Sequence, residues 1–262
     1  MAMINHERLI FAAITAYLLL ALALIFTDSN TDTFIAIQAL TQRLPDVFWG
    51  NMTLVADTLF AVAVLTIACS FKPTLFNQSF VLLVLGAVFV QGLKFALDIP
   101  RPPAVLNREV LHVIGPFLKN HSFPSGHSFT ALATAGLLVL NTQRSAWAVI
   151  VLIIASVAAL SRAAVGAHWP LDICIGSASG LLFAWLAIKI VKEYTWLQTQ
   201  GLRLTAAVLM TIASCALLFH DSRYPDTRLL GGVASILAVC VVSYRYWFLN
   251  WRQRNRLEAT ET

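Results

Sequence analysis

The sequence predicts an all-α fold, a polytopic transmembrane helical bundle of about eight spans, with a six-helix core and two extra spans at the C-terminal end. Three observations predict it. Of the 262 residues, 58% are hydrophobic and only 12% are charged. The mean hydropathy is +0.75. Apolar runs of bilayer length recur along the chain. A soluble domain carries about 25% charged residues, so this chain cannot cover itself with a water-facing surface. In lipid the backbone must satisfy its own polar groups, and runs of this length do so as helices.

The first run, about 8–27, starts at Arg8. It is longer than a signal-peptide core and lacks a clean small-x-small cleavage site, so it reads as an anchor. Residues 28–51 are polar to amphipathic, with Asp28, Asp32, Arg43 and Asp46, and read as an outer connection with one interfacial helix. The remaining spans are expected at about 52–71, 77–97, 127–141, 145–162, 169–191, 203–220 and 229–249. The four cysteines (Cys69, Cys174, Cys215 and Cys240) each sit inside an apolar run and read as small packing residues. No disulfide or cysteine-bound metal is expected.

Orientation follows from the basic residues near span ends. With the N-terminus cytoplasmic, Arg8, Lys72, Arg144, Lys189, Lys192, Arg203 and Arg245 lie inside, together with the tail cations Arg252, Arg254 and Arg256. Both termini are then cytoplasmic. The outer side holds Arg43, Lys94, Arg101, Arg108, Lys119, Arg162, Arg223 and Arg228. The net charge of +5 forms no basic stripe, so nucleic acid is not an expected partner. No feature of the sequence indicates an oligomeric state.

Three stretches break the pattern of bland spans: Lys94 to Arg101-Pro102, Pro124-Ser125-Gly126-His127, and Ser161-Arg162 to His168 and Asp172. In the expected topology all three meet at the outer face. Lys94, Arg101 and Arg162 bring three cations to one place, and fixed cations stabilise the charge on a phosphoryl group in transfer. Arginine grips two oxygens at once, while lysine acts as a point charge. Gly126 permits close backbone approach, and the N–H groups of Ser125, Gly126 and His127 open a helix, which suits an anion. His168 and Asp172 are four apart, on one face of a helix that begins near Trp169 and Pro170. The aspartate can accept the Nδ1–H and leave Nε2 to attack phosphorus. His127 remains as the general acid for the leaving group.

These motifs, Lys-x6-Arg-Pro, Pro-Ser-Gly-His and Ser-Arg-x5-His-x3-Asp, resemble those of the type-2 phosphatidic acid phosphatase superfamily, which includes bacterial membrane lipid phosphatases and vanadium haloperoxidases. The resemblance covers about residues 94–172 in its motifs and about 50–192 in helical context. It implies a metal-independent phosphatase on an all-helical core, with no cofactor. His168 would form a phosphohistidine oriented by Asp172, and His127 would protonate the leaving group. Lys94, Arg101, Ser125, Gly126 and Arg162 would hold the phosphate. The expected division is 1–51 for the first span and outer connection, 52–192 for the phosphatase core, and 193–262 for two additional spans and a basic cytoplasmic tail. Family members often have six spans, so the last pair is an addition, with a place at the periphery, against a partner or at the lipid entrance.

The loop 103–123 is rich in Val, Leu and Ile and reads as an interfacial lid, which favours a lipid phosphate over a large soluble substrate. Candidate substrates are undecaprenyl pyrophosphate, phosphatidic acid or phosphatidylglycerol phosphate, and a lipid A phosphate. The expected setting is a bacterial inner membrane, with the site facing the periplasm or exterior. Two other readings compete. The same phosphohistidine would serve a lipid-to-lipid phosphotransferase, and buried histidines would serve a non-enzymic transporter or binder. The latter needs metal or proton partners for His168, yet two histidines without Cys or Glu make a poor metal site.

Overall fold

A computed structural model describes residues 5–107, 109–249 and 252. Arg108, Trp251, Arg254 and Arg256 lie outside the described residues. The described residues are helical, with α1 His6–Phe26, α2 Asn30–Thr41, α3 Asp46–Val55, α4 Thr58–Phe71, α5 Thr74–Leu97, α6 Pro102–Val105, α7 Gly126–Leu140, α8 Ser145–Ala164, α9 Pro170–Glu193, α10 Gln200–Ala216 and α11 Arg228–Val242.

Six of the eight expected spans are helices long and apolar enough to cross a membrane: α1, α5, α8, α9, and α10 and α11 with their short continuations. The other two differ from simple spans. The second is a pair, α3 and α4, bent by 57°. The bend falls at Asp57, whose carboxylate caps α4 by accepting the Leu59 N–H at 2.8 Å. A capping aspartate in an apolar run restarts the helix instead of continuing it. The fourth, α7, has only 15 residues. It lies between α8 and α9, with most of its side chains buried against protein, so it needs no full-length lipid-facing surface. The 28–51 connection holds α2 and the start of α3 where one interfacial helix was expected.

Helices α7 and α9 form the central pair. A Cβ on Gly180 would collide with the Phe129 carbonyl, and one on Gly176 with that of Ser125. The absence of side chains there lets the two backbones touch and fixes the start of α7 against the start of α9. One apolar core spreads from this pair to α1, α2 and α8, and a second to α4, α5, α10 and α11. The C-terminal pair packs against the α3–α4 bend through Leu54, Phe60, Ala63, Leu217 and Ala238.

The three sequence motifs collect at one end of this bundle, at the end of α5, the starts of α7 and α9, and the end of α8. The opposite end is tied by a Glu7–Lys189 ion pair at 3.0 Å and by Lys72 donating to Asn141 at 2.7 Å.

Candidate active site

The α8–α9 turn supplies the two central groups. Helix α9 starts at Pro170, whose fixed φ suits a first helical position. The Asp172 carboxylate, one turn in, caps the helix by accepting the Trp169 N–H at 3.0 Å. The same oxygen, Oδ2, lies 3.3 Å from Nδ1 of His168 and accepts the hydroxyl of Ser122. Both residues are almost fully buried, His168 and Asp172 each at 2% exposure. On the other edge of the imidazole, Nη1 of Arg101 lies 3.1 Å from Nε2. Arginine has only donors, so Nε2 is the acceptor and Nδ1 carries the proton toward Asp172. Burial lowers the His168 pKa well below 6.5, and the charges of Arg101, Arg162 and Lys94 lower it further, so the ring is neutral near pH 7.

Lys94 and Arg101 are held by backbone carbonyls, with no carboxylate at ion-pair distance among the described residues. Arg101 donates from Nε to the Asn120 carbonyl at 2.8 Å, from Nη2 to that of His121 at 3.2 Å, and from Nη1 to that of Ala167 at 3.1 Å. Lys94 donates to the His121 carbonyl at 2.6 Å. The lid loop therefore orients both cations with its own backbone. Asp98 pairs with His121 at 3.0 Å and not with either cation. Arg162, in the last turn of α8, is 1% exposed and donates from Nη1 to Tyr224 Oη at 2.9 Å.

Lys94, Arg101, Gly126, His127, Arg162 and His168 line one cavity of about 600 Å³. From this polar end the cavity continues between α4, α5 and α7 along apolar side chains such as Val62, Leu65, Leu82 and Val90. Two of the sequence-predicted residues do not line it. Asp172 stands behind His168. Ser125 is turned into the fold: its N–H donates to the Asp172 carbonyl at 3.1 Å, and its hydroxyl caps α7 by accepting the Ser128 N–H at 3.3 Å. Ser125 thus joins the starts of α7 and α9, and Gly126 is the part of that motif that faces the cavity.

Four residues near the site had not been assigned a part in it. Ser122 is fully buried and bonds Asp172. Asp57 places Oδ2 3.9 Å from Nε2 of His127 and 3.6 Å from Nε2 of His220. Gln38, 2% exposed, donates to the carbonyls of Ala163 and Ala164 at 2.8 and 2.9 Å, and accepts the His112 N–H at 2.9 Å. It pins α2 and the lid loop to the end of α8, next to Arg162. Tyr224 reaches Arg162 from the α10–α11 loop. Only Asp57 left a trace in the sequence, as an acid in Asp-Thr-Leu inside an apolar run.

Comparison with known proteins follows the same lines. Residues 75–196 match the model of the PAP2 superfamily. The chain is 33% identical over 107 residues to an undecaprenyl-diphosphatase of Sulfolobus acidocaldarius, an alignment covering 41% of this chain and 50% of that protein. The chain thus matches about half the length of that curated relative. The fold is similar to the crystal structure of Aquifex aeolicus LpxE, with a TM-score of 0.51 and 24% identity over 61% of this chain and 94% of that one. It is also similar to that of the first transmembrane PAP2 type phosphatidylglycerolphosphate phosphatase from Bacillus subtilis, with a TM-score of 0.52 and 19% identity over 70% and 96%. By its fold, its motifs and the match over residues 75–196, a little under half of the chain, this protein is similar to members of the PAP2 superfamily.

Proposed function

We propose that the chain is a membrane phosphatase that hydrolyses a lipid phosphate or lipid pyrophosphate through a phosphohistidine on His168. One observation carries this reading: a single cavity joins three cations and two histidines to an apolar slot between α4, α5 and α7. The polar end suits a phosphate and the slot suits the chain of a lipid. The undecaprenyl-diphosphatase relative makes a polyprenyl diphosphate the first substrate to test.

In this mechanism Arg101, Arg162 and Lys94 grip the non-bridging oxygens, and the Gly126 N–H at the α7 start adds a donor. Arg101 leaves Nε2 for the incoming phosphate. Nε2 of His168 then attacks phosphorus. The bond from phosphorus to the leaving oxygen breaks, and its electron pair stays on that oxygen, which takes a proton from His127. The Nδ1–H keeps donating to Asp172, whose negative charge stabilises the positive ring. A water then attacks phosphorus, gives its proton to His127, and the phosphorus–nitrogen bond breaks to release inorganic phosphate. No step requires a metal. Among the described residues there is no cluster of three or more His, Cys, Asp and Glu that could hold one.

The core is proposed to span residues 52–192, in the inner membrane of a bacterium, with the site at the periplasmic or outer face and both termini cytoplasmic. In support, Lys72 follows the end of α4, and Lys189 and Lys192 lie in the last two turns of α9, at the end opposite the site.

Full-length protein in nanodiscs, given undecaprenyl diphosphate, phosphatidic acid and phosphatidylglycerol phosphate, tests the reading. Phosphate release that survives chelator, with an acid-labile ³²P adduct on the wild type and none on His168→Ala, is the expected result. Label passing to a second lipid instead of water would make the protein a phosphotransferase. Full release by His168→Ala, or its loss on chelation, would overturn the mechanism.

A further inference from the structure

Tyr224 lies outside the matched family segment, 75–196, and in a loop between helices to which the sequence assigned no chemistry. Its position is nonetheless tightly defined. Its ring packs beside Trp49, Ile114, Ala164, Val165 and Ala167. A side chain on Gly115, itself at φ +81°, would occupy the space of that ring. Pro225 covers Gly50 of α3, and Asn51 donates to the Asp226 carbonyl at 3.4 Å. Within the loop, the Tyr224 N–H is taken by Ser222 and its carbonyl by Thr227, both at 3.2 Å.

This loop delivers one hydroxyl to Arg162. The Tyr224 Oη accepts from Nη1 at 2.9 Å, and the guanidinium carbon lies 5.6 Å from the ring centroid. Arg162 is buried, and its Nε has no hydrogen-bond partner among the described residues. A guanidinium with a free buried donor is expensive unless an anion completes it. Tyr224 therefore fixes one arm of the fork and leaves other donors for phosphate. A planar guanidinium held at one nitrogen loses most of its freedom to turn, which lowers the entropic cost of gripping the ligand.

We propose that Tyr224 is a positioning residue for Arg162, and that the α10–α11 hairpin is thereby a working part of the phosphate site. The proposal rests on the functional reading above for its substrate, but on the structure alone for the link between Tyr224 and anion affinity.

The test uses the full-length protein in nanodiscs and inorganic phosphate as the probe, with binding followed by ³¹P NMR titration and by competition with lipid phosphate turnover. Tyr224→Phe keeps the ring and removes the acceptor. It should weaken phosphate about tenfold, as expected for one hydrogen bond to a charged group, and raise KM more than it lowers kcat, at an unchanged melting temperature. A packing role alone would instead lower the melting temperature and leave phosphate affinity intact. A second pair guards against misfolding: Tyr224→Gln retains an acceptor and should bind phosphate more tightly than Tyr224→Leu. Wild-type affinity in Tyr224→Phe, or equal affinities in the Gln and Leu variants, overturns the proposal. A wild type that binds phosphate but hydrolyses no lipid phosphate sinks the enzyme reading and leaves the Tyr224 comparison standing.

Discussion

Nη1 of Arg101 lies 3.1 Å from Nε2 of His168, so the proposed nucleophile and the cation that would hold its target already share a hydrogen bond. The bond makes Nε2 an acceptor and sends the ring proton to the Asp172 side, at 3.3 Å. A phosphate entering the cavity replaces one neutral acceptor of Arg101 by a charged one, at the atom that must attack.

Asp172→Asn tests that tautomer. An amide can present its NH₂ to Nδ1 and turn the ring proton toward Nε2, which silences the nucleophile. Phosphate release should fall by about 10²-fold or more, by analogy with other aspartate-oriented histidines. The Trp169 N–H still finds an oxygen cap in asparagine, so the melting temperature should hold. Activity within a few-fold of wild type would show that Ser122 and Arg101 suffice to orient the ring.

Arg101→Lys should cost more than a conserved charge suggests. The lysine loses the paired grip on phosphate and the fork that bonds three carbonyls, those of Asn120, His121 and Ala167. A fall in kcat/KM of about 10–10²-fold is expected, accompanied by faster hydrogen exchange in the lid residues 119–122. Wild-type kinetics in this variant would remove Arg101 from the phosphate site.

Asp57→Asn probes the carboxylate 3.9 Å from His127. Asparagine can still cap α4, so the fold is preserved. Without the negative charge, His127 is a weaker proton carrier. The kcat for a lipid alkoxide leaving group should drop about tenfold, while p-nitrophenyl phosphate, whose leaving group needs no proton, should be nearly unaffected. Equal losses on both substrates would assign Asp57 a purely structural part.

The pH dependence follows from His168. Burial, then Arg101, Arg162 and Lys94, depress its pKa in the folded state below 6.5. The acid limb of kcat/KM should therefore fall below the ordinary histidine value of about 6.5. Stability moves in the same sense. As pH drops below about 6.5 the unfolded chain binds a proton that the folded one refuses, so unfolding becomes easier until pH reaches the folded-state pKa. Between pH 7 and 5 the wild type should lose more thermal stability than His168→Gln. Parallel melting curves for the two would contradict the depressed pKa.

Much of this was readable in advance, because it depended on residue type and short spacing. The four-residue step from His168 to Asp172 brought the two side chains together, although His168 lies in the turn before α9 and not on its face. The Pro-Ser-Gly-His turn and the proline at 170 marked where α7 and α9 begin. Ser125 shows the limit: its sequence suited a phosphate ligand, but the close contact of α7 with α9 at Gly176 turned its N–H and hydroxyl inward. The span count met a similar limit at Asp57, where a cap competes with apolar continuity and wins a 57° bend.

By itself, the sequence determined the membrane bundle, the order of the helices and which cations line the polar end of the cavity, since hydropathy and local spacing act within a few turns. Only the tertiary structure decided that Ser122 would bond Asp172, that Asp57 would face His127 and that Tyr224 would hold Arg162. Those contacts join residues 50 to 70 positions apart. Close packing of whole helices sets them, and no local pattern in the chain encodes that distance.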